Sequence, residues 1–189
     1  AIVETVRNID GTSAEFQSVQ DVSGGSGSLE GITVLGVTAD FPTVRDYGLS
    51  GGRFFSDEEN DRKVKLVILG HGIARDLFGD ESPIGQTVTV GSTRMTVLGV
   101  MEEKGMVADA DYDGRVYVPI TVMFQKFNPS RMANERVRTI YIKAESQEAM
   151  DSVINQVKVL LIERHDVDPA QPDFTVQTQQ DIISTQQAT

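Results

Sequence analysis

The chain has 189 residues, 39% apolar and 24% charged, which is enough length and apolar content for one large domain or two small subdomains with a real core. Its 28 Asp and Glu outnumber 17 Lys and Arg for a net charge of −11, which argues against a nucleic-acid partner and against an electrostatic hold on anionic lipid. With no cysteine there is no disulfide framework, thiol nucleophile or thiolate metal site, and the redox compartment stays open.

No stretch approaches the ~20 apolar residues that a membrane span needs. The chain opens in Ala1-Ile2-Val3-Glu4-Thr5-Val6 with neither an initiator Met nor a signal peptide, so the expectation is a fragment of a longer protein. Ile2, Val3, Val6 and Ile9 recur at helical spacing, predicting an amphipathic helix over 1–9 that stops at Asp10-Gly11. Ala14 to Gln20 alternates as a half-buried strand does. Ser23-Gly24-Gly25-Ser26-Gly27-Ser28 follows, small and polar enough for an engineered linker or a native hairpin tip. Ile32 to Val37 is the second strand of that hairpin.

Asp40-Phe41-Pro42-Thr43-Val44-Arg45 starts a short helix, ended by Gly48 and Gly51-Gly52. Ser56-Asp57-Glu58-Glu59 sets an N-cap residue before acids, the order that suits a helix N-terminus. Val64 to Leu69 is nearly all apolar and predicts a buried strand. Gln86–Val90 and Thr93–Met101 alternate about Gly91-Ser92, a hairpin signal. Arg115–Val118 is a further strand, and 120–127 a short helix closed by Asn128-Pro129.

Val137–Lys143 predicts a strand with both faces partly covered. Ser146 caps a helix whose Met150, Val153, Ile154, Val157, Leu160 and Leu161 follow i, i+3, i+4, i+7 spacing. Phe174–Gln177 predicts a last strand, and Thr178–Gln187 a polar exit. The order is α+β. It suits an α/β unit made from both chain ends, 1–52 and 136–189, with a β-rich subdomain inserted at 53–135.

Candidate chemistry is sparse. Gly70-His71-Gly72 stands between strand and helix like the start of a nucleotide-binding turn. The third small residue of that motif is missing, because Arg75 stands there, and no acid follows about twenty residues on, where Thr89 and Val90 lie. The expectation is a tight turn. Asp109-Ala110-Asp111-Tyr112-Asp113-Gly114 matches the first half of a calcium loop, but the closing bidentate Glu is replaced by Ile120. Weak cation binding at Asp109, Asp111 and Asp113 stays open beside the plainer reading of an acidic loop. His71 has no second histidine or cysteine to share a metal, and His165 suits the C-terminal dipole of the long helix. The pairs Glu58-Glu59 and Glu102-Glu103 are adjacent in sequence and diverge on any regular element. No nucleophile, base and orienter assemble, so no catalytic, cofactor-binding or metal residue is assigned and no enzyme is expected.

Val34-Leu35-Gly36-Val37 with Gly51-Gly52-Arg53-Phe54-Phe55 resembles the opening signature of the MacB-like periplasmic core domain of ABC-transporter permeases, the MacB/FtsX type. Val67-Ile68-Leu69-Gly70, Leu77-Phe78-Gly79, Pro83-Ile84-Gly85-Gln86 and Val97-Leu98-Gly99-Val100 resemble its next blocks in order. Val116-Tyr117-Val118-Pro119, Arg164-His165 and Asp173-Phe174-Thr175-Val176 resemble the last. The resemblance implies a porter-like unit from both chain ends with a sabre-like insertion, placed outside the cell membrane between two spans. It also implies a non-catalytic part of a permease that carries motion from the membrane helices to substrate. A second permease copy, a cytoplasmic ABC ATPase and a membrane-fusion or other extracytoplasmic protein would be its partners, with no cofactor. The resemblance chooses no cargo, and the compact Ser-Gly hairpin leaves partner contacts there unassigned. The other reading is a stand-alone extracellular ligand-binding or sensing module of the same fold; membrane spans encoded on both sides would separate the two. Leu160→Ala is expected to cost about 2–5 kcal/mol in a denaturant titration, and a loss below about 0.5 would show that the helical stripe is not core.

Overall fold

Strand formation dominates the computed structural model, which describes residues 9–127, 139–146, 148–165 and 174–178. Residues 1–8 of the helix expected over 1–9, the Asn128-Pro129 stop, the start of the strand at Val137-Arg138 and the exit beyond Thr178 lie outside these residues, and Ile9 is already strand. By contacts the chain divides into Gly11–Lys143 and a second unit of Ala1–Asp10 with Ala144–Thr189.

Strand β1 runs Ile9–Gly24 and β2 Gly27–Val37, an antiparallel hairpin. Asp10-Gly11 therefore lies within a strand and breaks nothing. The Ser-Gly stretch is a two-residue turn, shorter than the expected loop, and Gly25 at its tip has φ 54°. A Cβ there would stand 2.3 Å from the Leu77 carbonyl oxygen, so only glycine fits. The neighbouring Ser26 amide donates to that same oxygen at 3.1 Å, and the tip thus satisfies an end carbonyl of the helix carrying Leu77.

Helix α1 is Phe41–Arg45, and the segment after it, Leu49–Gly52, is strand β3 rather than a helix end. Helix α2, Asp57–Asp61, starts at the expected N-cap Ser56, which forms a capping box with Glu59. Arg53 adds a 2.6 Å ion pair to Glu59, and with the Ser56 bonds this holds the Glu59 carboxyl down to about 2. Strand β4 is Leu66–Leu69 and helix α3 His71–Phe78. The hairpin β5, Thr87–Val90, and β6, Thr93–Met101, forms as its alternation foretold. Short strands β7, Met106–Val107, and β8, Ala110–Asp111, make a separate two-stranded hairpin before β9, Arg115–Pro119. Helix α4 is Ile120–Lys126 and β10 Thr139–Ala144.

The sheet runs β10-β1-β2-β9-β4-β6-β3, with β5 bonded to both β1 and β6. The hydrogen-bond path β1-β2-β9-β4-β6-β5 therefore returns to β1. Strands of 9–52 share this sheet with strands of 53–135, so the contact division falls at 10/11 and 143/144. Val67 and Leu69 of β4 join Val34, Val116 and Val118 in one apolar cluster with Ile73, Leu77 and Phe78 of α3 and Val122 and Met123 of α4. Leu66 and Ile68 join Leu35, Val37 and Tyr117 in a second cluster with Phe41, Tyr47 and Tyr112. Alternate residues of each central strand are thus buried on opposite faces, which is why Val64–Leu69 reads as continuously apolar.

In the other unit, α5 spans Met150–His165. Ser146 Oγ accepts the Ala149 amide at 3.2 Å, so the expected cap forms a turn ahead of the regular helix. Val153, Val157 and Leu160 are buried, and Met150, Ile154 and Leu161 are half-buried. Residues 174–178 form no strand, in contrast to the Phe174–Gln177 expectation. Alternation supplies a strand's faces but not its hydrogen-bonding neighbour.

Gly70 lies where β4 meets α3. A Cβ there would stand 2.5 Å from the Arg115 carbonyl oxygen and 2.6 Å from that of Asp113, both backbone atoms. Gly70→Ala is therefore expected to destabilise the chain by about 1–3 kcal/mol or more in thermal or denaturant unfolding. A neutral result would show that the β4–α3 turn is not pressed against 113–115.

Candidate functional site

The glycine turn is where a phosphate would sit if the chain bound nucleotides, and two amides around it already have protein partners. Gly70 N–H donates to Arg115 O at 2.9 Å and Ile73 N–H to Asp113 O at 3.2 Å. The first turn of α3 is thus packed against the chain entering β9, with two of its end amides on protein carbonyls. His71 is half-buried at this turn.

The aspartates of 109–113 come together only in part. Asp113 turns its carboxylate back onto the chain, Oδ1 accepting the Lys104 amide and Oδ2 the Gly105 amide, each at 2.8 Å. Asp111 Oδ1 accepts the Asp113 amide at 3.1 Å. Asp109 lies exposed at the β7–β8 turn, beside Ala108 with φ 51°. Tyr112 N–H donates to Gly105 O at 3.0 Å, closing the base of the hairpin. Asp113 therefore clamps a hairpin, and its oxygens are committed to amides rather than pooled with Asp109 and Asp111. No group of three or more metal-ligating side chains forms among the described residues.

Below that hairpin lies a polar cluster that the sequence did not announce. Tyr112 is buried and stacks edge-on against Tyr47, with centroids 5.5 Å apart. The Arg115 guanidinium lies 3.9 Å from the Tyr112 ring centre, and its Nε donates to the Tyr117 hydroxyl at 2.7 Å. Lys104 Nζ stands 4.6 Å from the Tyr47 ring centre and 5.1 Å from that of Tyr112. Arg45, at the end of α1, donates from Nη2 to the Tyr112 hydroxyl. From β1, Glu15 brings Oε1 to 3.6 Å from Arg45 Nε.

Burial sets the electrostatics here. It raises the Glu15 carboxyl above its usual value, with Arg45 and Arg115 pulling the other way. It also pushes the Tyr117 hydroxyl up to about 12, against the opposing pull of Arg115. The Tyr47 hydroxyl is raised for the same reason and donates to the Glu102 carbonyl at 3.1 Å. Glu15 Oε1, Ser13 Oγ and Arg115 Nη2 are buried with no hydrogen bond.

The signal that could have found this cluster is the period of β1. Ser13 and Glu15 stand on the face that carries Val37 and Leu35, where apolar residues belong. Without the tertiary pairing, Glu15 looks like an outward polar position. Chemically the cluster offers cations stacked on phenol rings and one poorly paired carboxyl. It holds no nucleophile beside a base.

Asp113→Ala is expected to cost about 1.5–3 kcal/mol of stability, because two amides lose a charged acceptor, while Asp109→Ala stays within about 0.5 kcal/mol. Equal losses at the two positions, or calcium protection that either variant abolishes, would overturn the clamp.

Comparison with known proteins bears on the whole chain. The family described as the MacB-like periplasmic core domain matches residues 1–160. A Macrolide export ATP-binding/permease protein MacB from Bdellovibrio bacteriovorus is 30% identical over 175 residues, covering 87% of this chain and 25% of that protein. A protein of the same name from Azoarcus is 32% identical over 152 residues, covering 79% of this chain and 22% of that protein. The chain thus spans about a quarter of the length of these relatives. The crystal structure of the periplasmic region of MacB from Actinobacillus actinomycetemcomitans superposes with a TM-score of 0.80 at 19% identity, covering 99% of this chain and 80% of that one. The extracellular domain of the noncanonic ABC-type transporter YknZ from Gram-positive bacteria gives 0.72 at 20% identity, covering 92% and 85%. These neighbours show the fold, an α+β chain with porter-like and sabre-like parts. No helix among the described residues is long and apolar enough to cross a membrane. The order of motifs, the fold and the match over most of its length together say that this chain belongs to the MacB-like periplasmic core domain family, the extracytoplasmic part of an ABC-transporter permease.

Proposed function

We propose that the chain is a non-catalytic coupling domain, which passes motion of the permease's membrane helices to cargo or to a partner outside the membrane. One observation carries this reading: the family match over residues 1–160 coincides with a solved periplasmic fold that covers 99% of the chain. The rigid features support it. A sheet buried on both faces moves as a unit, because close-packed side chains transmit displacement instead of absorbing it. The β7–β8 hairpin, clamped by Asp113 and anchored through Tyr112, would move with that sheet. In this reading the hairpin belongs to the sabre-like lobe set by sequence at 53–135.

Work on cargo would draw on ATP hydrolysed by a cytoplasmic ABC ATPase, with a second permease copy completing the transporter. A membrane-fusion or other extracytoplasmic protein would receive the substrate. The relatives' names make a macrolide the first cargo to try.

The test uses the intact permease. The coding region on each side of this segment is expected to specify a membrane span, and replacing the segment by a Gly-Ser linker should abolish macrolide export while ATP hydrolysis persists. A signal peptide and a stop codon directly bounding the segment would sink the proposal. So would undiminished export by the linker variant.

A further inference from the structure

In the buried cluster Arg45 faces both a phenol and a carboxyl. Arg45 reaches the Tyr112 hydroxyl with Nη2 and stands near Glu15 with Nε, but 3.6 Å leaves that second contact short of a hydrogen bond. Tyr112 in turn holds the base of the β7–β8 hairpin through its amide on Gly105 O. We propose that Glu15 is a proton-controlled latch, which sets how firmly Arg45 holds Tyr112 and so how firmly the β7–β8 hairpin is closed at its base.

The groups facing Glu15 come from each element around it. Arg45 comes from α1, and Arg115 from β9 adds its charge from farther off. Val37 lies opposite on β2, and Ser13 is two residues along β1 with its hydroxyl unpaired. From β10, Lys143 sends its ammonium to Thr43 O of α1 at 3.4 Å and so is committed to another acceptor. Tyr112 and Tyr117 contact the Arg115 guanidinium, and Lys104 stands over the Tyr47 and Tyr112 rings.

A neutral Glu15 suits this arrangement. Its Oε1 is buried without a hydrogen bond, which a carboxylate tolerates far less than a carboxylic acid. Burial dominates both cations at this position because neither makes close contact. Loss of the proton to solvent leaves a carboxylate with strong acceptors to fill. A shift of Arg45 by under about 1 Å would bring Nε to the ~2.8 Å of a charge-assisted bond. That shift draws the guanidinium off the Tyr112 hydroxyl.

The sign of the stability effect follows. A carboxyl whose value is raised on folding binds its proton more tightly folded than unfolded. Its contribution is full below the ordinary glutamate value and is lost as pH rises through the raised folded value. The latch is therefore closed on the acid side and loosened on the alkaline side.

The experiment follows the Glu15 carboxyl by carbon-13 NMR in this chain between about pH 4 and pH 8, the range open to a buried carboxyl. In parallel it reads hydrogen-exchange protection of the Tyr112 amide, corrected for intrinsic exchange. Protection is expected to fall about tenfold across the midpoint of Glu15 itself, a population shift within the reach of local opening. Glu15→Gln should keep the protected state at every pH. Tyr112→Phe should leave the Glu15 titration in place and abolish the step, which serves if the glutamine variant fails to fold. Flat protection in the unaltered chain, a step that survives either substitution, or a Glu15 midpoint at the ordinary glutamate value would each overturn the proposal.

Discussion

Closure of the sheet by β5 is the constraint on which the other features depend. By bonding to β1 along one edge and β6 along the other, β5 returns the ladder on itself and leaves fewer open edges to protect. Inward positions must then be apolar, as Val22, Val88, Val90, Met95 and Val97 are. The remaining cluster is completed by α3 and α4, whose Leu77, Phe78, Val122 and Met123 join the same core. The outer face of the central strands needs a cover of its own. Phe41, Tyr47, Phe55 and Tyr112 supply it.

That outer cover is where the fold departs from plain hydrophobic packing. Burying Glu15 and Arg115 on an apolar face is costly, and stacking of guanidinium on phenol offsets only part of it. The unfilled donors and acceptors at Ser13, Glu15 and Arg115 mark the balance that remains. Such groups are high-stakes in a low-dielectric interior, where a change of one proton or one partner redistributes several bonds. The hairpin above inherits this sensitivity because Tyr112 belongs to both.

Most elements were legible from local rules. The N-cap at Ser56, the β5–β6 hairpin about Gly91-Ser92 and the stripe on α5 each depend on residues within one or two turns of one another. Where reading failed, the deciding partner was distant in sequence. Leu49–Gly52 is a strand because β6 lies beside it, while Phe174–Gln177 has the alternation of a strand without forming one. The Ser-Gly segment looked like slack until Leu77 supplied a carbonyl for it to cap. The candidate cluster escaped for the same reason, as its members come from β1, α1, β9 and the β7–β8 hairpin.

By itself the sequence determined the family and the strand–helix order through most of the chain, because each rests on ordered motifs or local spacing. Tertiary structure alone decided what occupies those places. It set the Asp113 and Arg115 carbonyls against the glycine turn, turned Asp113 onto the Lys104 and Gly105 amides, and buried Glu15 beside Arg45. The reason is physical: spacing along a chain fixes which face a residue takes, whereas burial, hydrogen-bond partners and charge depend on which distant strand closes over that face.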